Sequence, residues 1–480
     1  MARRRVRFVS DDHAPPADEI GAVFDQIRAE FGVVVGFAPD VEAAAAASAA
    51  APSLPSTDST DLPFFTIDPI GSTDLDQAMH LERAGSGFRV RYAIADLPTF
   101  VPAGGPVDVE ARRRGQTIYA PDRRIPLHPT VISEGAGSLL PGQVRPAYVW
   151  DLRLDADGEV TAADVGRALV RSTDRLDYDG VQAQVDRAGG EPDDERLALL
   201  KAVGERRIRL EQARGGADLP LPEQEVVAGP DGYRLRLRPP VAAEDWNAQI
   251  SLMTGMSAAD MMLAGEVGIV RTMPPPDPAV LRRFHRQAAA LGAPWPAETS
   301  YGTFLRSLDR ADPRQLALIH EATALFRGAG YTPFVGAVPE QAQHAAVAAP
   351  YAHVTAPLRR LVDRFGLVVC EALCRDREVP GWVTEALPTL PVIMAASDRR
   401  ANAVDRACTD AVEAAVLRSR VGEEFDAVVV DAREDGRSRV QVLDPPVLAT
   451  VTGQVELGRS MRVRLMRADI RARAVEFASA

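Results

Sequence analysis

Between Phe64 and Leu81 the chain reads FFTIDPIGSTDLDQAMHL, and three carboxylates, Asp68, Asp74 and Asp76, fall within nine residues. An apolar β-type run leads into Asp68. A Gly-Ser-Thr turn then carries Asp74 and Asp76 ahead of Gln77, so the acids lie at the end of a strand and in its following loop. From there they can converge on one point. Hard oxygen ligands of this kind suit Mg²⁺, which keeps several waters and shares its shell with substrate phosphates. Such ions support in-line displacement at a phosphodiester by activating water and stabilising the leaving oxygen. The competing reading of the same residues is an Asp-rich turn whose side chains cap backbone amides.

The elements that must position these acids follow from periodicity. Residues 17–31 predict an amphipathic helix, with Ile20, Phe24, Ile27 and Phe31 on one face and Gly32 as its stop. The Ala-rich stretch from Val41 to Thr60 gives way to Pro, Ser and Thr, and reads as a helix end plus linker. From Phe64 to about Asp155 short β-type runs such as FRVRYAIAD and AYVWDLRLD alternate with Gly and Pro. Helical periodicity returns at 173–214, a strand-like YRLRLRPP follows at 233–240, and helices dominate from Trp246 to Arg420. The stretch 421–478 alternates apolar and polar residues in five short runs, the pattern of a small β-barrel of OB type. The expected fold class is α+β, divided as a short helical segment with linker (1–60), a catalytic domain (61–420) and a C-terminal barrel (421–480).

Composition narrows the function classes. The chain has 480 residues, 46% hydrophobic and 25% charged, the balance of a globular protein of two or three domains. It contains no apolar stretch long enough for a membrane span (about 18 residues or more), and the basic start lacks the apolar core of a secretory signal. Three cysteines, Cys370, Cys374 and Cys408, cannot build a disulfide framework and point to a reducing compartment, with cytoplasm the expectation. Cys370 and Cys374 read as buried core thiols rather than zinc ligands. A net charge of −12 argues against bulk attraction to nucleic acid. Of the 55 basic residues only Lys201 is a lysine. The arginine excess reads as codon bias, yet arginines lining an internal channel could still hold RNA.

The wider pattern decides between a metal site and a capped turn. TIDPIGSTDLDQA closely resembles the signature of the RNB ribonuclease family, which includes ribonuclease II, ribonuclease R and the eukaryotic exosome nuclease; their motif runs T-I-D, five residues, then D-x-D-D-A. RYAIADLPTFV resembles the family strand ending in Ala-Asp, here Ala95-Asp96, and GQTIYAPDRRIPLHP resembles the segment with its base-stacking tyrosine, here Tyr119. SLLPGQVRPA, from Ser138, and YAHVTAPLRRLVDRF, with Tyr351, His353, Thr355, Pro357, Arg359, Arg360 and Asp363 retained, resemble two further segments in the family order. The likeness covers roughly residues 62–420.

That resemblance implies an RNB catalytic domain hydrolysing single-stranded RNA from its 3′ end to nucleoside 5′-monophosphates, with Mg²⁺ as cofactor and Mn²⁺ able to replace it. Carried over, Asp68, Asp74, Asp76 and Gln77 would hold metal, Asp74, Asp76 and Arg359 would be catalytic, and Tyr119 and Arg360 would contact substrate. Asp405 would lie in the region of an acid beside the terminal nucleotide. The departures are Gln77 for the fourth acid, Ala356 for a serine, and Gly366-Leu367 for His-Arg. About 60 residues precede the motif, too few for the two cold-shock-type domains of larger members, so the RNA entry is expected to be reduced. Taken on its own residues, Tyr119 reads as a core aromatic. The arginine runs Arg3–Arg5 and Arg112–Arg114 read as solvated faces, the second also as a phosphate contact. Two alternatives to the enzyme are an RNA-binding protein weakened by Gln77, and a docking component of an RNA-decay assembly presenting its N-terminal helix to a partner protein.

Overall fold

The computed structural model describes residues 6–9, 19–219, 223–229, 232–310, 312–432, 437–452 and 455–480. Five strands close into a barrel at its centre: Phe64–Ile67, Gln77–Ala84, Gly87–Ala95, Val144–Leu154 and Val160–Leu176. Sequential neighbours are antiparallel. The ring closes where the first strand runs parallel to the end of the last, Phe65, Thr66 and Ile67 lying opposite Asp174, Arg175 and Leu176. Along Gly87–Ala95 the buried Phe88, Val90, Tyr92 and Ile94 alternate with Arg89 and Arg91, the period of two that fills a barrel. That closure corrects one sequence expectation. The chain stays extended to Leu176, and helices begin only at Tyr178–Arg187 and Glu195–Ala213.

Helices Glu195–Ala213, Ala242–Ala264 and Leu361–Cys374 pack against the barrel and share one core with it, including Val203, Trp246, Met253 and Phe365. Cys370 is buried in that core and Cys374, only half-buried, packs against it, their sulfurs turned to the Ala258 carbonyl and the Met261 thioether. Gly366 is explained by close approach, because a Cβ there would fall 2.8 Å from the Val354 side chain. The 246–420 region is not purely helical. Val267–Thr272 and Gly330–Val335 pair as an antiparallel ribbon, drawn by their β-branched and aromatic residues.

A second barrel is built from Glu424–Asp431, Arg437–Val442, Leu448–Thr452, Ser460–Asp469 and Ala474–Ser479, the five runs expected from the alternation. It is locked to the helices before it. Gln287 donates to the Val430 carbonyl at 3.0 Å, and Arg439 pairs with the buried Glu321 at 3.0 Å. The architecture is α+β. Among the described residues no helix is long and apolar enough to cross a membrane.

The N-terminal segment differs from a linker carrying a free helix. Helix Glu19–Glu30 buries Ile20, Val23, Phe24 and Ile27 against Ala401, Val404, Cys408 and Val412 of the 28-residue helix Leu390–Leu417. The Ala run forms a second helix, Pro39–Ala50, which buries Val41 and Ala45 on the catalytic part. Each fully buried large apolar side chain is worth roughly 1.5–3 kcal/mol, so the face expected to meet a partner protein is already occupied by this chain. The run Arg3–Arg5 lies outside the described residues. Arg112, Arg113 and Arg114 are spent internally, on Asp108 at 3.1 Å and on Glu110 at 2.5 and 2.7 Å.

Candidate active site

Asp68 follows the last residue of strand Phe64–Ile67, and its N–H still donates to Leu176 at 3.2 Å, which fixes the strand end. The chain then turns through Gly71, whose φ of 86° favours a residue without Cβ. The loop is stapled by the buried Ser138, whose hydroxyl donates to the Thr73 carbonyl at 2.7 Å and accepts from the Leu75 N–H at 2.9 Å. This explains the Ser-Leu-Leu-Pro-Gly segment as a support for the acidic loop. Asp76 re-enters the barrel, its carbonyl accepting from Ala95 at 2.9 Å.

These acids line one cavity of about 690 Å³ together with Gln77, Tyr119, Arg359 and Arg360. All seven residues singled out in the sequence therefore meet. Asp76 is 5% exposed, its Oδ1 accepts from the Leu358 N–H at 2.7 Å, and its Oδ2 faces Arg359 Nε at 3.4 Å. Arg359 keeps 42% of its side chain exposed, open to the cavity. Tyr119 is 46% exposed on a two-residue strand, not core as its type alone suggests. Asp405 is on the long helix and is not among the cavity-lining residues.

Two of these residues have partners within the protein. Arg360 is engaged by the fully buried Asp363 through two charge-assisted bonds of 2.5 and 2.7 Å. Gln77 turns its amide nitrogen to the Thr355 carbonyl at 2.5 Å. Sequence reasoning missed Arg124, which pairs with Asp74 and, at 2.7 Å, with Glu134. Arg124 lies five residues after Tyr119 in a quoted segment, so proximity could have flagged it. It also missed Tyr178 and Asn247, which line the cavity and bond to each other at 2.9 Å. No motif marks those two.

Burial dominates the electrostatics. It pushes Asp68 up to about 7, Asp74 upward and Asp76 well above the usual carboxylate range, while Arg359 and Arg124 oppose the shift. The arginines only partly compensate the negative charge, which is the condition a bound cation would relieve. Among the described residues no three His, Cys, Asp or Glu side chains form a ready-made metal cage. Asp68, Asp74 and Asp76 present hard oxygen donors to the cavity, the donor type that Mg²⁺ takes one or two at a time with water and phosphate oxygens completing its shell.

The raised Asp68 has a consequence for stability. Its folded value of about 7 lies above the ordinary Asp value of about 3.9, so its contribution is present below pH 4 and lost as pH rises through 7. Metal-free Asp68→Asn should therefore match wild type in thermal midpoint at pH 4 and exceed it at pH 8. The buried His128 and the half-buried His344, both pushed down to about 4, act in the opposite sense but cancel in this difference. Equal midpoints at pH 8 would show that Asp68 is not strained by burial.

The RNB domain profile matches residues 56–371. The chain belongs to the RNB family. The profile of the RNase II-type exonuclease C-terminal S1 domain matches residues 423–480, the second barrel. Ribonuclease R of Aquifex aeolicus is 26% identical over 455 residues, covering 86% of this chain and 63% of that protein. The exosome complex exonuclease RRP44 homolog A of Arabidopsis thaliana is 29% identical over 326 residues, covering 63% of this chain and 33% of that one. This RNB protein thus spans less than two thirds of the length of either relative. A solved structure, Mycoplasma genitalium RNase R in complex with ribose methylated single-stranded RNA, superposes with a TM-score of 0.84 at 18% identity, covering 96% of this chain and 78% of that one. At that identity the match establishes the RNB fold with its S1 barrel.

Proposed function

We propose that this RNB protein is a Mg²⁺-dependent hydrolytic exoribonuclease, with Mn²⁺ able to replace Mg²⁺. It takes single-stranded RNA from the 3′ end and releases nucleoside 5′-monophosphates. The observation that carries this reading is the meeting, in one cavity, of a buried carboxylate wall, an exposed aromatic ring and a half-exposed arginine. One or two of the carboxylates Asp68, Asp74 and Asp76 would hold the metal, with water and phosphate oxygens completing its shell. When bound, Mg²⁺ supplies an activated water and relief of charge at the leaving oxygen. The chain's own residues do the rest. Tyr119 offers a face on which the 3′-terminal base stacks, a contact indifferent to base identity. Arg359 places a guanidinium where it can offset charge developing on the scissile phosphate. Arg124 balances Asp74 and fixes its direction.

The test is degradation of a 5′-labelled single-stranded oligoribonucleotide with Mg²⁺ or Mn²⁺. A ladder shortening from the 3′ end is expected. RNA bound tightly but never shortened would replace the enzyme with the RNA-binding reading. Tyr119→Ala should weaken binding of the same oligonucleotide by about 1–3 kcal/mol, the value of one base–aromatic stack. Unchanged affinity in fluorescence anisotropy would remove Tyr119 from the substrate path.

A further inference from the structure

Asp76 and Gln77 are adjacent, and each reaches across the cavity to the same short segment. Gln77 Nε2 donates to the Thr355 carbonyl at 2.5 Å, while Asp76 Oδ1 accepts from the Leu358 N–H at 2.7 Å. The two side chains grip Thr355–Leu358 at both ends, immediately before Arg359. The far side of the segment is pinned as well. Thr117 donates to the Arg359 carbonyl at 3.0 Å, Leu361 donates to the Gly115 carbonyl at 3.1 Å, and Ala356 donates to Asp363 at 2.7 Å. Thr355 is buried, so its carbonyl needs a donor from the protein. An ionised carboxylate has none to give.

We propose that Gln77 is a positioning residue rather than a weakened metal ligand: its amide sets the register of Thr355–Leu358 and, through it, the placement of Arg359 beside Asp76. The proposal rests on the nuclease reading only for its kinetic consequence. The departure from a fourth acid is then a change of task, from holding charge to holding backbone.

Three substitutions separate strut from ligand. Gln77→Glu keeps the shape and removes the donor, Gln77→Met removes both polarity and donor, and Gln77→Asp supplies the acid of the family motif. As a strut, Gln77 predicts that all three lower kcat by about 10–100-fold, the usual cost of losing a supporting bond at such a site. Affinity for RNA should stay within about twofold, because the stacking tyrosine is untouched. Mn²⁺ binding to the RNA-free protein, read by electron paramagnetic resonance, should be the same for wild type and Gln77→Met. A ligand role predicts the reverse: tighter Mn²⁺ binding and higher kcat in Gln77→Asp and Gln77→Glu, with weaker binding in Gln77→Met. Those results would overturn the proposal. Amide exchange provides a readout that needs no catalysis. Exchange at Leu358, Arg359 and Leu361 should quicken by about tenfold in Gln77→Glu and Gln77→Met, with the barrel amides unchanged. Unaltered exchange at those three positions would sink the strut even if wild type cleaves nothing, whereas quickened exchange in an inactive wild type would fail the nuclease reading alone.

Discussion

Asp76→Asn should fold, bind single-stranded RNA with wild-type affinity, and release nucleotides about 10²–10³-fold more slowly or worse. The separation of binding from cleavage comes from the two oxygens of one carboxylate. Oδ1 accepts the Leu358 N–H at 2.7 Å, and an asparagine oxygen can continue to accept it. Oδ2 faces Arg359 at 3.4 Å and carries the charge that a metal would need. Because Asp76 is buried, solvent cannot replace that charge once it is lost. Single-turnover decay of a 5′-labelled oligoribonucleotide, beside its dissociation constant, decides the matter. A variant that cleaves at the wild-type rate would remove Asp76 from the chemistry. One that neither binds nor folds would make it a structural residue.

Asp363→Ala should lower the stability of the whole chain by about 3–5 kcal/mol, the cost of stranding a buried charge. Asp363 is fully buried and holds three donors: two from the Arg360 guanidinium and the Ala356 N–H. Truncation leaves a guanidinium without its counter-ion and an orphaned backbone donor in the same place. Asp363→Asn keeps an acceptor but no charge, so its loss should be smaller. Urea denaturation followed by circular dichroism measures both. A shift below 1 kcal/mol for the alanine variant would show that water reaches Arg360 and that the pair is effectively at the surface. Arg360 lines the cavity and is held there by Asp363.

What could be read from the sequence divides by range. The acidic loop was legible because Asp68, Asp74 and Asp76 are close neighbours whose spacing survives any fold. Arg359 and Tyr119 were legible only through their likeness to family segments. The terminal barrel announced itself by alternation, a local property of strands. The Gln77 contact was not legible because its partner, Thr355, lies 278 residues away, and nothing near either residue indicates that an amide will meet a carbonyl. Tyr178 and Asn247 were invisible for the same reason. The N-terminal helix was read correctly as amphipathic, but amphipathicity does not say whose surface covers the apolar face. Here the answer was Leu390–Leu417, near the other end of the chain.

The bond from Leu358 to Asp76 joins residues 282 apart, and the Gln77 contact is almost as long. Because the two stretches lie so far apart along the chain, the carboxylates face Arg359 only once the tertiary fold has closed around both. In the nuclease proposed above, competence would arrive with the completed domain and not with the acidic loop alone.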